Sequence, residues 1–335
     1  MLLCVPASAE ELTAPAVDGE AAELVPQVMS SFGEDLWYVV KTAMQKVLPN
    51  LKECCGVCLS VIAIAILLSV LRANEGMSRP LVALCGVVCI SLVLLRSSNS
   101  LIQLGAETVM QISDYGKLLL PVLTAAMAAQ GGTMSSAALY TATAFFDTVL
   151  STVISSLLIP MVYIYIVLSI VTAAAGDQTM HKLRDLVKSV MAWSMKILLY
   201  VFTGYISITG AVSGTADQAA VKAAKLTISS AVPVIGSIMS DASETILVSA
   251  GVVKNSVGIY GLIAVVAIVA VPFLKIGLQY LLLKLTGSVC SLFMDKQLSG
   301  LLDDFSSSMG LLLAMTGISS LLFFISIVCF LKGMG

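Results

Sequence analysis

The chain is poor in charge and in histidine. Only 11% of its 335 residues are charged, and it holds one histidine, His181. A soluble domain carries roughly 25% charged residues, so water alone cannot be the solvent of this protein. With one histidine and no clustered metal ligands, the sequence argues against a metal enzyme. The net charge of −2, without a basic run, gives no support to nucleic-acid binding.

Enzyme motifs are missing as well. The sequence contains no G-x-S-x-G, no H-E-x-x-H, no P-loop and no dinucleotide fingerprint. Seven of the eight cysteines lie within or beside apolar segments, where cysteine packs as a small hydrophobe. The Cys55-Gly-Val-Cys58 spacing is that of redox motifs, but it opens an apolar helix and has no βαβ context. We therefore predict no catalytic residue, no metal and no cofactor.

Apolar residues are abundant and they run continuously. They make up 58% of the chain, and the mean hydropathy is +1.00. The runs are rich in Leu, Ile, Val and Ala, and they lack the ten-residue alternation of a membrane β-barrel. The sequence therefore predicts an all-α, polytopic transmembrane helical bundle in a lipid bilayer.

The predicted membrane domain extends over residues 53–335 and holds about seven to nine segments, some interrupted or re-entrant. Residues 118–130 are too short for a full crossing, so they are either a re-entrant segment or a partial span. The predicted apolar segments are residues 54–71, 81–95, 118–130, 137–175 with Pro160 near the middle, 191–212, 256–274, 276–294 and 310–331. Residues 97–117 are predicted to be a polar connection, the tract 137–175 is predicted to be two helices or one strongly kinked pair, and Pro272 and Lys275 are predicted to separate the two segments before residue 295.

The N-terminal region has a different character. Residues 1–9 match the end of a secretory signal peptide, with Ala7-Ser8-Ala9 as a small-x-small cleavage site. We therefore expect residues 10–52 to lie outside the cytoplasm. Within them, residues 34–48 have the pattern of a short amphipathic helix that Pro49 ends.

Orientation follows from the basic residues in short connections. With the N-terminus outside, the connection after the first span and the basic loop of Lys182, Arg184 and Lys188 fall on the cytosolic side. Counting spans further places residues 213–256 outside, the acidic residues 295–308 outside, and the C-terminus inside.

One apolar segment carries a polar face inside the predicted membrane domain. At 100° per residue, five polar side chains share about half of the helix circumference: Asp147, Thr148, Ser151, Thr152 and Ser155. A charge at bilayer depth costs at least about 2.5 kcal/mol, so the aspartate must face protein or water. Either this face lines an aqueous or ion path, or its hydroxyls bond neighbouring helices and the aspartate pairs with a residue such as Lys196.

Residues 213–256 are too polar for a membrane span and too poor in charge for an ordinary loop. They divide at Pro233 into two short helical patterns joined by an apolar turn. Such a hairpin either dips into the membrane as a re-entrant segment or lies on the outer surface and docks partners.

The same hairpin carries a long pattern that resembles the signature region of the stage III sporulation protein AE family, "SGTADQAAVKAAKLTISSAVPVIGSIMSDASETILVSAGVVKNSVG". The signature residues are Ser213, Gly214, Asp217, Lys222, Lys225, Pro233, Gly236, Asp241, Glu244, Lys254 and Asn255. The resemblance covers about residues 34–335, and no catalytic residue comes with it.

The resemblance implies a multi-pass protein of the mother-cell membrane around the forespore. It further implies a channel or secretion complex needed for forespore development, in which the family is the large polytopic component. The implied partners are other stage III A proteins, including a cytosolic ATPase and ring-forming components, and indirectly the stage II Q protein. A stand-alone, permease-like transporter of small molecules or ions, built on Asp147 and the hairpin, is the rival hypothesis.

Overall fold

A computed structural model describes residues 14–17, 19–26, 31–73, 78–129, 133–212 and 256–333, and all regular structure in these ranges is helical. The predicted all-α polytopic bundle is thereby confirmed. A 3₁₀ turn, Gly19–Leu24, precedes the helices α1 Phe32–Ala73, α2 Arg79–Ala129, α3 Thr133–Val153, α4 Ile159–Ala175, α5 Gln178–Val212, α6 Ser256–Cys290 and α7 Lys296–Gly333.

Six helical stretches of the described chain are long and apolar enough to cross a membrane. One is the continuous rod of α3 and α4; α1, α2, α5, α6 and α7 each supply one of the others. The protein is therefore a multi-pass membrane protein. At 1.5 Å per residue, the 51 residues of α2 extend about 76 Å, more than twice the roughly 30 Å of a hydrocarbon core.

Three sequence-predicted breaks are wrong. Pro49 lies inside α1, which carries the N-terminal amphipathic segment and the first span in one helix. In α2, the predicted polar connection of residues 97–117 is helical, and residues 118–129 are its last turns rather than a separate re-entrant segment. Proline is tolerated here because neighbouring helices and side chains re-satisfy the freed backbone groups of membrane helices.

The third wrong break changes the topology. Residues 256–274 and 276–294 were expected to cross twice, but α6 runs from Ser256 to Cys290 through Pro272 and Lys275. One crossing is lost, so the turn before α7 falls at the same end of the bundle as the turn between α4 and α5. The proximity of Gly176, just after α4, and Gln297, in the first turn of α7, confirms this: a Cβ on Gly176 would lie 2.7 Å from Nε2 of Gln297. Residues 177–188 and 295–308 therefore share one end, and α7 finishes at the other. The predictions that residues 295–308 lie opposite the basic residues and that the C-terminus lies on their side are both wrong.

The rod of α3 and α4 contains one π turn, Ile154–Leu158. Pro160 follows two residues after this turn, and its ring lacks the N–H that an α-helix would offer to the carbonyl of Ser156. Widening the preceding turn lets the rod continue past that proline without a break. The single tract of residues 137–175, expected as two helices or one kinked pair, is thus one rod with a local change of winding.

Helix α7 is the centre of the bundle. It packs against α2, α3, α4, α5 and α6. Its buried side chains occur on nearly every side, including the fully buried Phe305, Met309, Leu312 and Ile327. A helix that is apolar around most of its circumference is typical of a core position. The middle of this bundle is therefore a packed helix and not an open path.

Close helix approach depends on glycines of α2 and α6. An ideal Cβ on Gly105 would lie 2.6 Å from Cδ1 of Leu312 in α7, and one on Gly116 would lie 2.7 Å from Phe323. An ideal Cβ on Gly261 would lie 2.7 Å from Leu119, which joins α6 to α2. Small residues at such contacts are how membrane helices bring their backbones together.

The N-terminal turn packs on the other end of the bundle. Leu24 is buried with Val39 and Ala43 of α1. The Lys46 ammonium donates a 2.5 Å hydrogen bond to the Glu23 carboxylate and lowers its pKa below the ordinary value. The predicted signal remnant, residues 1–9, and the signature hairpin from Ser213 to Asn255 lie outside the described residues and stay predictions.

Candidate functional site

A charged cluster joins α4, α5 and α7 near the end that holds their connecting turns. Nη1 of Arg184 donates to Oδ2 of Asp304 at 2.7 Å. The Tyr165 hydroxyl donates to Oδ1 of the same carboxylate at 2.9 Å. Nζ of Lys188 donates to Oγ of Ser307 at 3.0 Å and lies 6.0 Å from the centre of the Tyr165 ring. Three helices are thereby fixed to one another by polar contacts.

The turn before α5 sets the register of this cluster. Gly176 ends α4 in the left-handed conformation, φ 66°, with its N–H donating to the Thr172 carbonyl. Oδ1 of Asp177 then accepts from the N–H of Thr179 at 3.0 Å and caps the start of α5. Arg184 and Lys188 follow four residues apart, on one face of α5, and both reach α7.

Burial separates this ion pair from the others of the described chain. The side chains of Arg184 and Asp304 are 15% and 10% exposed, whereas those of Lys284 and Asp303 are 54% and 56% exposed. Arg184 also donates from Nε and Nη2 to Asp185, so its guanidinium is held by two carboxylates. A buried pair of this kind is costly to break because a charge is left without compensation.

The three residues predicted as a basic loop therefore have unequal roles. They lie on helix α5 and not in a loop. Lys182 is exposed, while Arg184 and Lys188 point into the bundle. Sequence reasoning missed Asp304, which it assigned to an acidic loop on the opposite side, and Tyr165. The one sequence signal for Asp304 was the Asp303-Asp304 pair within a helical pattern. The sequence carried no signal for Tyr165.

A second polar cluster lies between α2 and α3. Oγ of Ser113 donates to Oδ2 of Asp147 at 2.8 Å and lies 3.4 Å from Oγ of Ser151. The predicted partner Lys196 makes no ion pair with Asp147. Asp147 and Ser151 of α3 thus both contact Ser113 of the neighbouring helix α2.

The other three residues of the predicted polar face, Thr148, Thr152 and Ser155, are not part of this cluster. Thr148 and Thr152 are exposed, and the Thr148 hydroxyl donates to the Ala144 carbonyl of its own helix. The Ser155 hydroxyl donates to the Ser151 carbonyl. These hydroxyls satisfy themselves within the helix, as serine and threonine do in membrane helices.

A small cavity of about 10 Å³ adjoins the second cluster. Its lining combines three polar residues, Thr143, Asp147 and Ser326, with an apolar cage of Phe146, Leu150, Phe202, Leu322 and Phe323. Phe146 and Phe202 meet edge to face, with ring centres 5.3 Å apart. Such a volume suffices for about one water-sized particle.

A protein-family model matches most of the chain. The family model described as "Stage III sporulation protein AE" matches residues 20–333. A protein of that name from Bacillus subtilis (strain 168) is 26% identical over 233 residues, 70% of this chain and 58% of the relative. The match thus spans less than two thirds of the relative's length. No solved structure matches.

The family model covers nearly all of the described helices, including both polar clusters. Family membership implies a role in sporulation, and the name of the family is that of a sporulation component. This multi-pass chain therefore belongs to the stage III sporulation protein AE family.

Proposed function

We propose that this chain is a membrane component of a channel or secretion complex between mother cell and forespore, needed for forespore development. It acts in the mother-cell membrane around the forespore as a platform on which other components assemble. Its partners are other stage III A sporulation proteins, including the cytosolic ATPase and the ring-forming components, and indirectly the stage II Q protein. Residues 213–256 face the intermembrane space and the Arg184 end faces the mother-cell cytosol.

The observation that supports a platform is the packed centre. Helix α7 occupies the axis of the described bundle, and the side chains around it are buried. The cavity beside Asp147 holds about one water-sized particle, too little for a conduit. A path for larger molecules must then form between copies of this chain or between the chain and its partners.

The proposal is tested by recovering the complex from sporulating cells of the native host. A C-terminally tagged chain, crosslinked in the cells and purified in detergent, should enrich the stage III A ATPase and ring-forming proteins by at least about tenfold. The comparison is a second multi-pass protein with the same tag, produced at the same stage. Recovery of intact chain without any of these partners would remove the proposal.

The rival function, a stand-alone transporter, draws support from the carboxylate of Asp147 beside a cavity. Asp147→Asn separates the two functions in sporulating cells. A platform keeps both the complex and the count of heat-resistant spores. A transporter loses spores at least about tenfold while the complex remains intact.

A further inference from the structure

We propose that Asp147 holds an exchangeable small cation, a proton or a monovalent metal ion, in the cavity bounded by α3, α5 and α7. This site goes beyond the proposed function and stands independently of it. Asp147 lies in a helix that spans the membrane, where an uncompensated charge is expensive. Among the described residues, no ammonium or guanidinium group makes an ion pair with its carboxylate.

The nearest charges do not remove the need for a cation. Lys117 and Asp114 of α2 both act electrostatically on Asp147. They form their own exposed ion pair at 2.7 Å, so their opposite charges largely cancel at a distance. From α5 and α7 the cavity receives Phe202, Leu322, Phe323 and Ser326, none of which is charged. The one hydroxyl bonded to it, that of Ser113, does not neutralise an ionised carboxylate, so a cation is still required.

The cavity supplies further oxygen ligands. The Thr143 side chain is 2% exposed, lines the cavity, and its Oγ1 has no hydrogen-bond partner among the described residues. The Ser326 hydroxyl also lines it and donates to the Leu322 carbonyl, so its lone pairs remain available. Carboxylate and hydroxyl oxygens suit hard cations.

The charge of the site selects among such cations. A single carboxylate balances one positive charge, whereas calcium and magnesium sites gather more oxygen ligands or retain several waters. A volume of about 10 Å³ has no room for a hydrated divalent ion. A proton on Asp147, or one monovalent metal ion, neutralises the site in the space available.

The test uses the purified full-length protein in lipid nanodiscs. Thermal unfolding is followed by the fluorescence of Trp37 and Trp193 in NaCl, KCl or choline chloride of equal ionic strength, from pH 5 to pH 9. The variants are Asp147→Asn and Thr143→Val. The matched control is Thr148→Val, because Thr148 is exposed on the same helix and its hydroxyl donates to the Ala144 carbonyl one turn earlier, away from the cavity lining.

If the cation is a metal ion, the Tm should be about 2–4 °C higher in NaCl or KCl than in choline chloride. A proton predicts instead a Tm that is independent of the salt and rises as the pH falls. In either case Asp147→Asn should abolish the effect, and Thr148→Val should behave as wild type. Thr143→Val should raise the half-saturating concentration of the metal ion or shift the pH midpoint. A wild-type Tm insensitive to both cation and pH, or a response that persists in Asp147→Asn, would overturn the site.

Discussion

Asp304→Ala is expected to lower the free energy of unfolding by about 3–5 kcal/mol. The substitution leaves the Arg184 guanidinium, 15% exposed, beside α7 without its 2.7 Å partner. It also removes the acceptor of the Tyr165 hydroxyl, which is fully buried. The loss of stability is measured by thermal unfolding in detergent, with size-exclusion chromatography as the readout of folded protein. The amount of folded protein in the membrane should fall in parallel.

The adjacent residue provides the control. Asp303→Ala removes an ion pair whose side chains are both more than half exposed, so we expect a change of about 0–1 kcal/mol. The double variant Arg184→Met with Asp304→Leu replaces both charges by apolar groups and should recover part of the loss, since the Tyr165 hydroxyl still lacks its acceptor. Equal losses for Asp303→Ala and Asp304→Ala would contradict the buried cluster.

Gly105→Leu is expected to destabilise the protein by about 3 kcal/mol, the upper part of the range for overpacked cores. The first atom of the new side chain already lies 2.6 Å from Cδ1 and 2.8 Å from Cγ of Leu312, which is fully buried in α7. Helix α2 would have to move away from the centre of the bundle. The same unfolding measurement in detergent detects the change.

Two further variants distinguish overpacking from a general effect of replacing glycine. No atom lies within 4 Å of an ideal Cβ on Gly300, so Gly300→Leu should be neutral or stabilise α7 by up to about 1 kcal/mol. Adding Leu312→Ala to Gly105→Leu restores the total volume and should recover part of the stability. If Gly105→Leu is as stable as Gly300→Leu, α2 and α7 do not meet at Gly105.

The sequence predicted the class of fold because continuous apolar runs leave few alternatives to membrane helices. It failed at the ends of the helices because proline and lysine were interpreted as breaks. Pro49, Pro272 and Lys275 all lie inside helices, since packing and neighbouring helices compensate for the lost backbone bond. The wrong break in α6 alone moved residues 295–308 to the wrong end.

The same error concealed the charged cluster. Arg184 was recognised as a basic residue of interest, but its partner Asp304 was assigned to the opposite side of the membrane. Asp147 was recognised as a buried charge, yet its partner was missed because Ser113 lies in the stretch of α2 that was interpreted as a loop. Contacts between distant helices depend on crossing number and rotation, which a single sequence does not specify.

The charged cluster requires one topology, in which the turn before α5 and the turn before α7 share one end of the bundle. Single cysteines at Gln178, Lys296 and Ser31, in a variant without native cysteines, test it by labelling with a membrane-impermeant thiol reagent in intact protoplasts of vegetative cells that express the chain in the cell membrane. The structure predicts that positions 178 and 296 respond alike, both protected if that end is cytosolic, and that position 31 responds in the opposite way. Labelling of 296 together with 31, and not with 178, would contradict the fold.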